Sequence, residues 1–427
     1  MRDTTLMQQA LGLTPPWTVV RSDFDTEAGR LDVEIDFTPG SRFACPSCGA
    51  ADCPAYDTQR KTWRHLNFFQ HQAYLNPSSG YSNGFAAGTL ASLARVPRVR
   101  CETCGIRQVN VPWATEHARE GRPDSGFTLL FEAMVMTMVS AMPVAAVARI
   151  VDEHDTRLWR VVHHYVDEGR ARTDASEVSR VAIDETAARR GHDYITLFVD
   201  IDQARVLFAT EGKDAATVAA FAEDLAAHGG SPEAIEEVCI DMSPAFIKGV
   251  ADSLPEAAVT FDKFHAVKII NDAVDQVRRA EQKQQGVLRG TRYIWLRNPD
   301  NLSERQRTTL ESLPTRHLKT ARAYQIRLAF QELYDQPSEA AASYLKKWYF
   351  WATHSRLEPI IDAAHTVKRH WDGILRWFDS KIANGLIEGI NSLVQAAKAK
   401  ARGYRSTRNL KAMVYLLVGK LDLKLPA

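Results

Sequence analysis

The chain has 427 residues, of which 45% are hydrophobic and 25% are charged. This composition is typical of a globular protein, and at about 150 residues per domain the length predicts close to three domains. The most apolar stretch, 133–148, contains Pro143 and is too short to span a membrane. The N-terminal residues lack the basic and apolar regions of a secretory signal. We therefore expect a cytoplasmic protein without a membrane partner.

The net charge of +1 hides a strong segregation of charge along the chain. Residues 174–263 hold 18 acidic against 7 basic side chains, whereas residues 278–330 hold 12 basic against 4 acidic ones. The tail, 398–424, holds eight basic residues and one acid. An enzyme that binds metal ions at its centre and a polyanion around them needs such a distribution.

Residues 1–120 predict a small β domain, because apolar and polar residues alternate in short runs that Pro and Gly interrupt. Within this domain, residues 76–93 are almost uncharged and rich in turn-forming residues. This composition predicts a surface loop insertion with weak order.

Two Cys-x-x-Cys pairs lie in the first domain, and a glycine follows each pair. Such a glycine lets the backbone curl so that its amides face the sulfurs, which suits tetrahedral Zn²⁺. Four thiolates would close the coordination shell, so the pattern predicts a structural zinc ribbon, with reduced core cysteines as the alternative. The predicted ligands are Cys45, Cys48, Cys101 and Cys104. We expect Cys53, His65 and His71 to lie outside the ligand set.

Residues 121–173 predict a helix-turn-helix domain. A buried helix precedes two short helices, and a four-residue turn at 152–155 joins those two. Arg157 and Arg160 open the last helix, where a helix-turn-helix contacts the major groove of DNA. An ordinary helical hairpin is the alternative interpretation.

Residues 174–427 predict an α/β domain that becomes helical after Lys263. Five segments have the pattern of strands: 178–183, 194–199, 205–209, 238–240 and 257–261. Asp184 and Asp241 each end one of these strands, and ligands of α/β sheets bind at the carboxyl ends of strands. Two carboxylates there are able to hold a pair of Mg²⁺ ions about 4 Å apart.

A third carboxylate is needed to complete the second metal shell, and Glu388 is the candidate. It lies in the first turn of a predicted helix that Asn384 would cap, where the helix dipole favours an ionised carboxylate. Glu185 is a rival, and so are Asp200 and Asp202, although their position favours an Asx-type turn. Residues at helical spacing after Glu388 form a polar stripe that is predicted to follow a DNA strand: Asn391, Gln395, Lys398 and Arg402.

Several motifs, taken in this order, resemble those of the DDE transposases of bacterial insertion sequences, in particular the ISL-three (ISL3) family. The motifs that follow the cysteine pairs and the helix-turn-helix are Val-Ala-Ile-Asp184-Glu, Cys-Ile-Asp241-Met-Ser-Pro-Ala-Phe, Phe-Asp262-Lys-Phe-His265 and Asn384-Gly-Leu-Ile-Glu388-Gly-Ile-Asn391. The resemblance implies a ribonuclease H-like catalytic domain that a helical insertion at about 280–380 interrupts. It also implies catalytic roles for Asp184, Asp241 and Glu388, and support near the site or core packing for Asp262 and His265.

Together the residues and the resemblance predict a transposase. It would bind the terminal inverted repeats of its insertion sequence and target DNA, use Mg²⁺ or Mn²⁺ for strand cleavage and transfer, and act as a homodimer or larger oligomer on DNA at the bacterial nucleoid. A nuclease or resolvase on the same scaffold is one alternative. A DNA-binding regulator whose acidic residues are structural is the other.

Overall fold

The computed structural model describes residues 3–77, 94–114, 125–189, 193–382 and 385–426. The chain divides into two compact units, Met1–Asp167 with Leu423–Ala427, and Glu168–Asp422. None of the helices in these described ranges is both long and apolar enough to cross a membrane.

The first unit contains two four-stranded sheets followed by three helices. The sheets have the orders β1-β2-β6-β5 and β3-β4-β7-β8. Its elements are α1 (Asp3–Ala10), β1 (Trp17–Asp25), β2 (Arg30–Phe37), β3 (Arg42–Phe43), β4 (Cys53–Lys61), β5 (Trp63–Phe68), β6 (His71–Pro77), β7 (Ala94–Cys101), β8 (Gly105–Gln108), α2 (Leu129–Ala141), α3 (Val144–Val151) and α4 (Asp155–Ala171).

Aromatic side chains form the centre of the core of these sheets. Trp113 makes edge-to-face contacts with Trp17, at 5.0 Å between ring centroids, and with Trp63, at 5.7 Å. Trp17 and Trp63 are buried. The alternation predicted from the sequence is visible in β2, where Leu31, Val33 and Ile35 are buried.

The loop insertion predicted at 76–93 overlaps the end of a strand, because β6 continues to Pro77. Asn76 is buried in β6, where its side chain bonds to Thr62 and Asp32. Two partners for its amide allow a polar turn former to lie inside a strand. Residues 78–93 lie outside the described ranges.

The three helices α2, α3 and α4 follow the order predicted from the sequence. Thr128 caps α2, because its hydroxyl accepts a hydrogen bond from the backbone N–H of Phe131. Asp152 ends α3 in the left-handed conformation, with φ of 52°. The turn between α3 and α4 therefore runs from 152 to 154, one residue shorter than predicted.

The second unit is built on a five-stranded sheet of order β11-β10-β9-β12-β13. The strands are β9 (Arg180–Ala187), β10 (Tyr194–Asp200), β11 (Arg205–Glu211), β12 (Glu237–Ile240) and β13 (Ala258–Phe261). Antiparallel pairing joins β9, β10 and β11, whereas β12 is parallel to both β9 and β13. The five predicted strands are confirmed.

Residues between and after the strands form helices that pack on this sheet and on one another. Phe221 of α5 stacks on Phe198 of β10, with ring centroids 4.4 Å apart. The helices are α5 (Ala215–Ala227), α6 (Pro244–Ser253), α7 (Lys263–Gln282), α8 (Arg292–Leu296), α9 (Glu304–Ser312), α10 (Lys319–Glu332), α11 (Ser338–Thr353), α12 (Glu358–Arg369), α13 (Trp371–Ser380), α14 (Gly385–Lys400) and α15 (Thr407–Val418).

Candidate zinc centre and acidic cleft

The four predicted zinc ligands form one cluster. The sulfur atoms of Cys45, Cys48, Cys101 and Cys104 all lie within 4.8 Å of one another. The Cys48 and Cys101 sulfurs are 3.6 Å apart, close to the roughly 3.8 Å that tetrahedral coordination with Zn–S bonds of 2.3 Å requires. The sulfur-only donor set and its spacing fit a structural zinc ion.

Backbone amides stabilise the thiolate form of the first cysteine in each pair. Amides of Cys104 and Thr103 lower the pKa of Cys101 to about 7, and amides of Cys48 and Ser47 lower the pKa of Cys45. A metal ligand must be deprotonated, so these contacts favour metal binding. They also agree with the expectation that the tight turns aim amides at the sulfurs.

The other candidate ligands of the first unit have different partners. The Cys53 thiol faces the carbonyl of Ala50, at 3.5 Å, and is not part of the sulfur cluster. His65 bonds to the Thr128 hydroxyl at 2.9 Å, and His71 packs against the ring of Phe24. The expectation that Cys53, His65 and His71 are not ligands therefore agrees with the structure.

The two arginines predicted to contact DNA differ in their surroundings. Arg157 donates to the Glu153 carboxylate at 2.6 Å and to the Ser125 carbonyl at 3.2 Å, and its guanidinium lies 4.1 Å from the centre of the Phe127 ring. Arg160 is exposed on α4. Arg157 thus helps to fix the start of α4, and contact of either arginine with DNA stays a prediction.

Asp184 and Asp241 lie level with each other on adjacent parallel strands. Ala182 of β9 pairs with Cys239 of β12, and the same register two residues further aligns Asp184 with Asp241. Asp241 directly follows the end of β12, as predicted. Asp184, however, does not end its strand, because pairing with β10 extends β9 to Ala187.

Both carboxylates line one small cleft with a second polar pair. Asp262 is buried at the N-cap of α7, where it accepts from the backbone N–H of Phe264 at 2.8 Å, and His265 Nδ1 lies 2.6 Å from Asp262 Oδ2. Asp184, Asp241, Asp262 and His265 all border this cleft. The prediction of a place near the site for Asp262 and His265 agrees with this arrangement.

The electrostatics of the cleft couple these groups. Burial raises the pKa of Asp184, and the negative charges of Asp262 and Asp241 act in the same direction. The hydrogen bond to Asp262 raises the pKa of His265, as do the nearby carboxylates of Asp184 and Asp241. The protein alone therefore leaves an excess of negative potential in the cleft, which a cation would neutralise.

Glu388 lies in the first turn of α14, as predicted, and its side chain is exposed. Asn391, three residues later and thus on the same side of the helix, donates its side-chain N–H to Asp184 Oδ2 at 2.6 Å. The neighbour of Glu388, Ile387, borders the cleft. Asn384, the predicted cap of this helix, lies outside the described residues.

The structure brings two of the three predicted catalytic acids, Asp184 and Asp241, into one cleft, whereas Glu388 is not among the residues that border it. Among the described residues, the cysteines form the single group of three or more His, Cys, Asp or Glu side chains with ligand atoms close enough to share one ion. The rival Glu185 has its pKa raised by burial and by the charge of Asp241, so it also lies near the cleft.

The polar stripe after Glu388 faces the sheet along most of its length, which the sequence did not show. Gln395 donates to the Thr186 hydroxyl and the Ala187 carbonyl, and the Lys398 ammonium donates to that same carbonyl. Asn391 and Gln395 each bond to β9, and the hypothesis that they follow a DNA strand stays a prediction. Contact of Lys398 and of the exposed Arg402 with DNA stays a prediction.

Asp200, considered as a rival acid, has a structural role. It is buried, and its Oδ1 accepts from the backbone N–H groups of Asp202 and Gln203 at 3.0 Å and 2.9 Å. This contact pattern confirms the predicted turn and explains why the carboxylate is not available for a metal ion.

Three family models match successive parts of the chain. Residues 41–77 match the zinc-finger of transposases IS204, IS1001, IS1096 and IS1165. Residues 121–166 match the helix-turn-helix domain of transposase family ISL3. Residues 181–414 match the ISL3 DDE transposase family.

Two curated proteins similar to this chain are described as transposases for insertion sequence elements. The transposase for insertion sequence element IS1557 of Mycobacterium tuberculosis is 28% identical over 356 residues, which are 76% of this chain and 77% of that protein. The transposase for insertion sequence element IS1001 of Bordetella parapertussis is 27% identical over 424 residues, which are 95% of this chain and 96% of that protein.

A zinc-ribbon cluster, a helix-turn-helix and a DDE domain with two carboxylates level on neighbouring strands define a transposase that acts on DNA. The model of the DDE domain covers more than half of the sequence. The chain belongs to the ISL3 family of transposases, and the resemblance inferred from its motifs is confirmed.

Proposed function

We propose that the protein binds the terminal inverted repeats of its insertion sequence and catalyses Mg²⁺-dependent DNA strand cleavage and strand transfer. One observation carries this proposal: Asp184 and Asp241 lie side by side in one cleft, and Asn391 ties Asp184 to the helix that bears Glu388. This arrangement supports a site at one edge of the sheet to which Asp184, Asp241 and Glu388 contribute.

We propose further that the second unit has a ribonuclease H-like catalytic fold with a helical insertion at about 280–380. Three antiparallel strands followed by two parallel ones, in the order β11-β10-β9-β12-β13, support the fold. The described residues between β13 and α14 form helices and connecting turns, without a strand. The proposed domains are 1–120, 121–173 and 174–427.

The donor set of the cleft suits Mg²⁺ or Mn²⁺, both of which prefer oxygen ligands. Asp184, Asp241 and Glu388 would hold the metal, and the Oδ1 atom of Asn391 is buried there without a protein partner. Once bound, such a metal supplies a lowered pKa for the attacking hydroxyl and charge stabilisation for the leaving oxygen.

The chain's own residues would position this chemistry. The backbone N–H of Glu185 and the amide of Asn391 hold the two oxygens of Asp184, at 2.8 Å and 2.6 Å, so the carboxylate is oriented before substrate arrives. Asp262 orients His265 beside it. Water would cut the strand at the element end, and the freed 3′ hydroxyl would then attack a second phosphodiester.

DNA recognition would fall to the first unit and to basic residues near the cleft. We propose that the zinc ribbon, held by one Zn²⁺ on the four cysteines, and α4 with Arg157 and Arg160 read the terminal repeats. Lys398 and Arg402 would contact DNA at the cleft. Joining two ends to target DNA favours a homodimer or larger assembly at the nucleoid.

The test is the variant Asp184→Asn, which keeps the shape of the side chain and removes its charge. We expect binding of a terminal-repeat duplex to stay within about twofold, and Mg²⁺-dependent nicking to fall by a factor of about 10³ or more. Asp372→Asn is the matched control, because Asp372 is an exposed carboxylate in the first turn of α13. Undiminished nicking by Asp184→Asn would remove this residue from the mechanism.

A precut substrate with a free 3′ hydroxyl separates the three candidate functions. Joined products are expected for a transposase, whereas a nuclease or resolvase of the kind considered above would hydrolyse without joining in this assay. A DNA-binding regulator would show neither reaction, with or without Mg²⁺.

A further inference from the structure

A groove of about 600 Å³ lies on the helical part of the second unit, away from the residues that line the acidic cleft. One wall is the exposed face of α10 and the turn before it, and the other wall includes an indole of α11. Its polar and aromatic lining consists of His317, Lys319, Arg322, Gln325 and Trp351, together with Thr315. No described residue that borders it is acidic. We call it the α10/α11 groove.

The two cationic side chains of this groove, Lys319 and Arg322, have no acidic partner among the described residues. In the described residues, neither the Lys319 ammonium nor the Arg322 guanidinium forms an ion pair, and both residues are exposed. Nearby arginines behave differently: Arg278, Arg279 and Arg292 all contact the buried Asp275. The positive charge of Lys319 and Arg322 is therefore available to an anion.

The five aromatic residues of α11 differ in their exposure. Trp348 is buried and donates to the Ile326 carbonyl at 2.9 Å, which is core packing. Phe350 and Trp351, in contrast, are 64% and 41% exposed. A half-exposed indole beside two free cations lacks any role in the core.

We propose that the α10/α11 groove binds an unpaired DNA strand, with its phosphates on Lys319 and Arg322 and one base stacked on Trp351. The inference rests on the proposed function, in which DNA is the substrate. Proteins that hold single strands combine a basic groove with aromatic side chains on which bases stack. In a duplex both faces of a base are already stacked, so the indole selects an unpaired nucleotide over paired DNA.

The test measures binding of a fluorescent 15-nucleotide single strand to the full-length chain by anisotropy. Trp351→Ala should weaken this binding by about tenfold, and Trp351→Phe should restore most of it because a ring remains. Arg322→Gln should lower the slope of log K against log salt by about 0.7, as expected for the loss of one phosphate contact.

The controls match each substitution in chemistry and exposure. Tyr293→Ala removes an exposed aromatic ring of α8, and Arg305→Gln removes an exposed guanidinium of α9, and neither residue borders the groove. Both variants should bind the strand like the original protein. Thermal unfolding of every variant shows whether it is folded.

Two results would overturn the assignment. One is binding of the single strand by Trp351→Ala and Arg322→Gln with unchanged affinity. The other is an equal loss of affinity for a fully paired duplex, which would show that the groove does not distinguish an unpaired strand. Nicking of terminal-repeat DNA is measured in a separate assay. Failure of the catalytic proposal would appear there and would not affect the measurement of single-strand binding.

A 2-aminopurine scan of the strand gives a second readout of the stacked base. Its fluorescence should fall on binding at one position, and this fall should disappear in Trp351→Ala but persist in Tyr293→Ala. A fall that is the same in all proteins would contradict stacking on Trp351.

Discussion

The side-chain amide of Asn391 donates a hydrogen bond to Asp184 Oδ2 across 2.6 Å, although 207 positions separate the two residues in the chain. This contact joins α14 to the central strand β9. Because Glu388 lies one helical turn before Asn391, the orientation of Asp184 and the approach of Glu388 depend on the same contact.

Asn391→Ala should therefore lower Mg²⁺-dependent nicking by about 10- to 100-fold, the range typical of groups that orient a metal ligand. Steady-state rates at several Mg²⁺ concentrations test this. Gln395→Ala is the control, because Gln395 bonds to the same strand at Thr186 and Ala187 without touching Asp184. Equal losses in the two variants would mean that Asn391 only fastens the helix.

Glu388 and Glu185 compete for the place of the third carboxylate. We expect Glu388→Gln to weaken Mn²⁺ binding, measured by calorimetry, and to reduce nicking by a factor of about 10² or more, since it removes an oxygen ligand. Glu185→Gln should retain most of the Mn²⁺ affinity and most of the nicking activity. The reverse pattern would assign the third position to Glu185, whose pKa is raised by burial and by Asp241.

The cysteine cluster should be essential for the first unit and independent of Cys53. Cys101→Ser should lower the zinc content, measured by atomic emission, from about one ion per chain to a small fraction, and should lower the unfolding temperature of this unit. Cys53→Ser should retain the zinc, since that thiol faces the Ala50 carbonyl. Loss of zinc from Cys53→Ser alone would contradict the ligand set.

His65 gives the first unit a defined pH dependence. Burial, aided by the charge of Arg64, lowers the pKa of His65 to about 4 from its ordinary 6.5. The unfolded chain therefore takes up the proton first, and stability present above pH 6.5 is lost as the pH falls toward 4.

Between pH 7 and pH 5 this histidine should cost the folded state about 2 kcal/mol. Urea unfolding at both pH values, in excess zinc, measures the loss. His65→Gln retains a side chain that reaches the Thr128 hydroxyl but does not titrate, so its loss over the same interval should be smaller by about that amount. Equal losses would show that His65 is not buried in its neutral form.

The sequence predicted the elements that short-range patterns define. Short apolar runs located all five strands of the large sheet, and the two-residue spacing in each cysteine pair identified the sulfur cluster. Strand ends were less well predicted, because pairing with a neighbour decides them. Asp184 lies inside β9 because β10 continues beside it, and that partner is not visible in a local pattern.

Contacts between side chains far apart in the chain also could not be predicted from the sequence. The spacing of Asn391, Gln395 and Lys398 correctly placed them on one face of a helix, but could not show that this face meets β9. Likewise, one aromatic run contained both the buried Trp348 and the half-exposed Trp351. Only the packing of α11 on its neighbours distinguishes them.

The sulfur contact between Cys48 and Cys101 has a consequence for how copies of such elements diverge. A zinc ion bound by both cysteine pairs would close the chain between them into a loop, and the entropic cost of closing a loop grows only with the logarithm of its length, by about 0.6 kcal/mol for each doubling. Insertions or deletions between β6 and β7, which leave the strands of this loop intact, should therefore be tolerated better than substitutions of the four cysteines. Gene copies should accumulate size variation in that interval, and a reporter peptide inserted there should leave the rest of the protein intact.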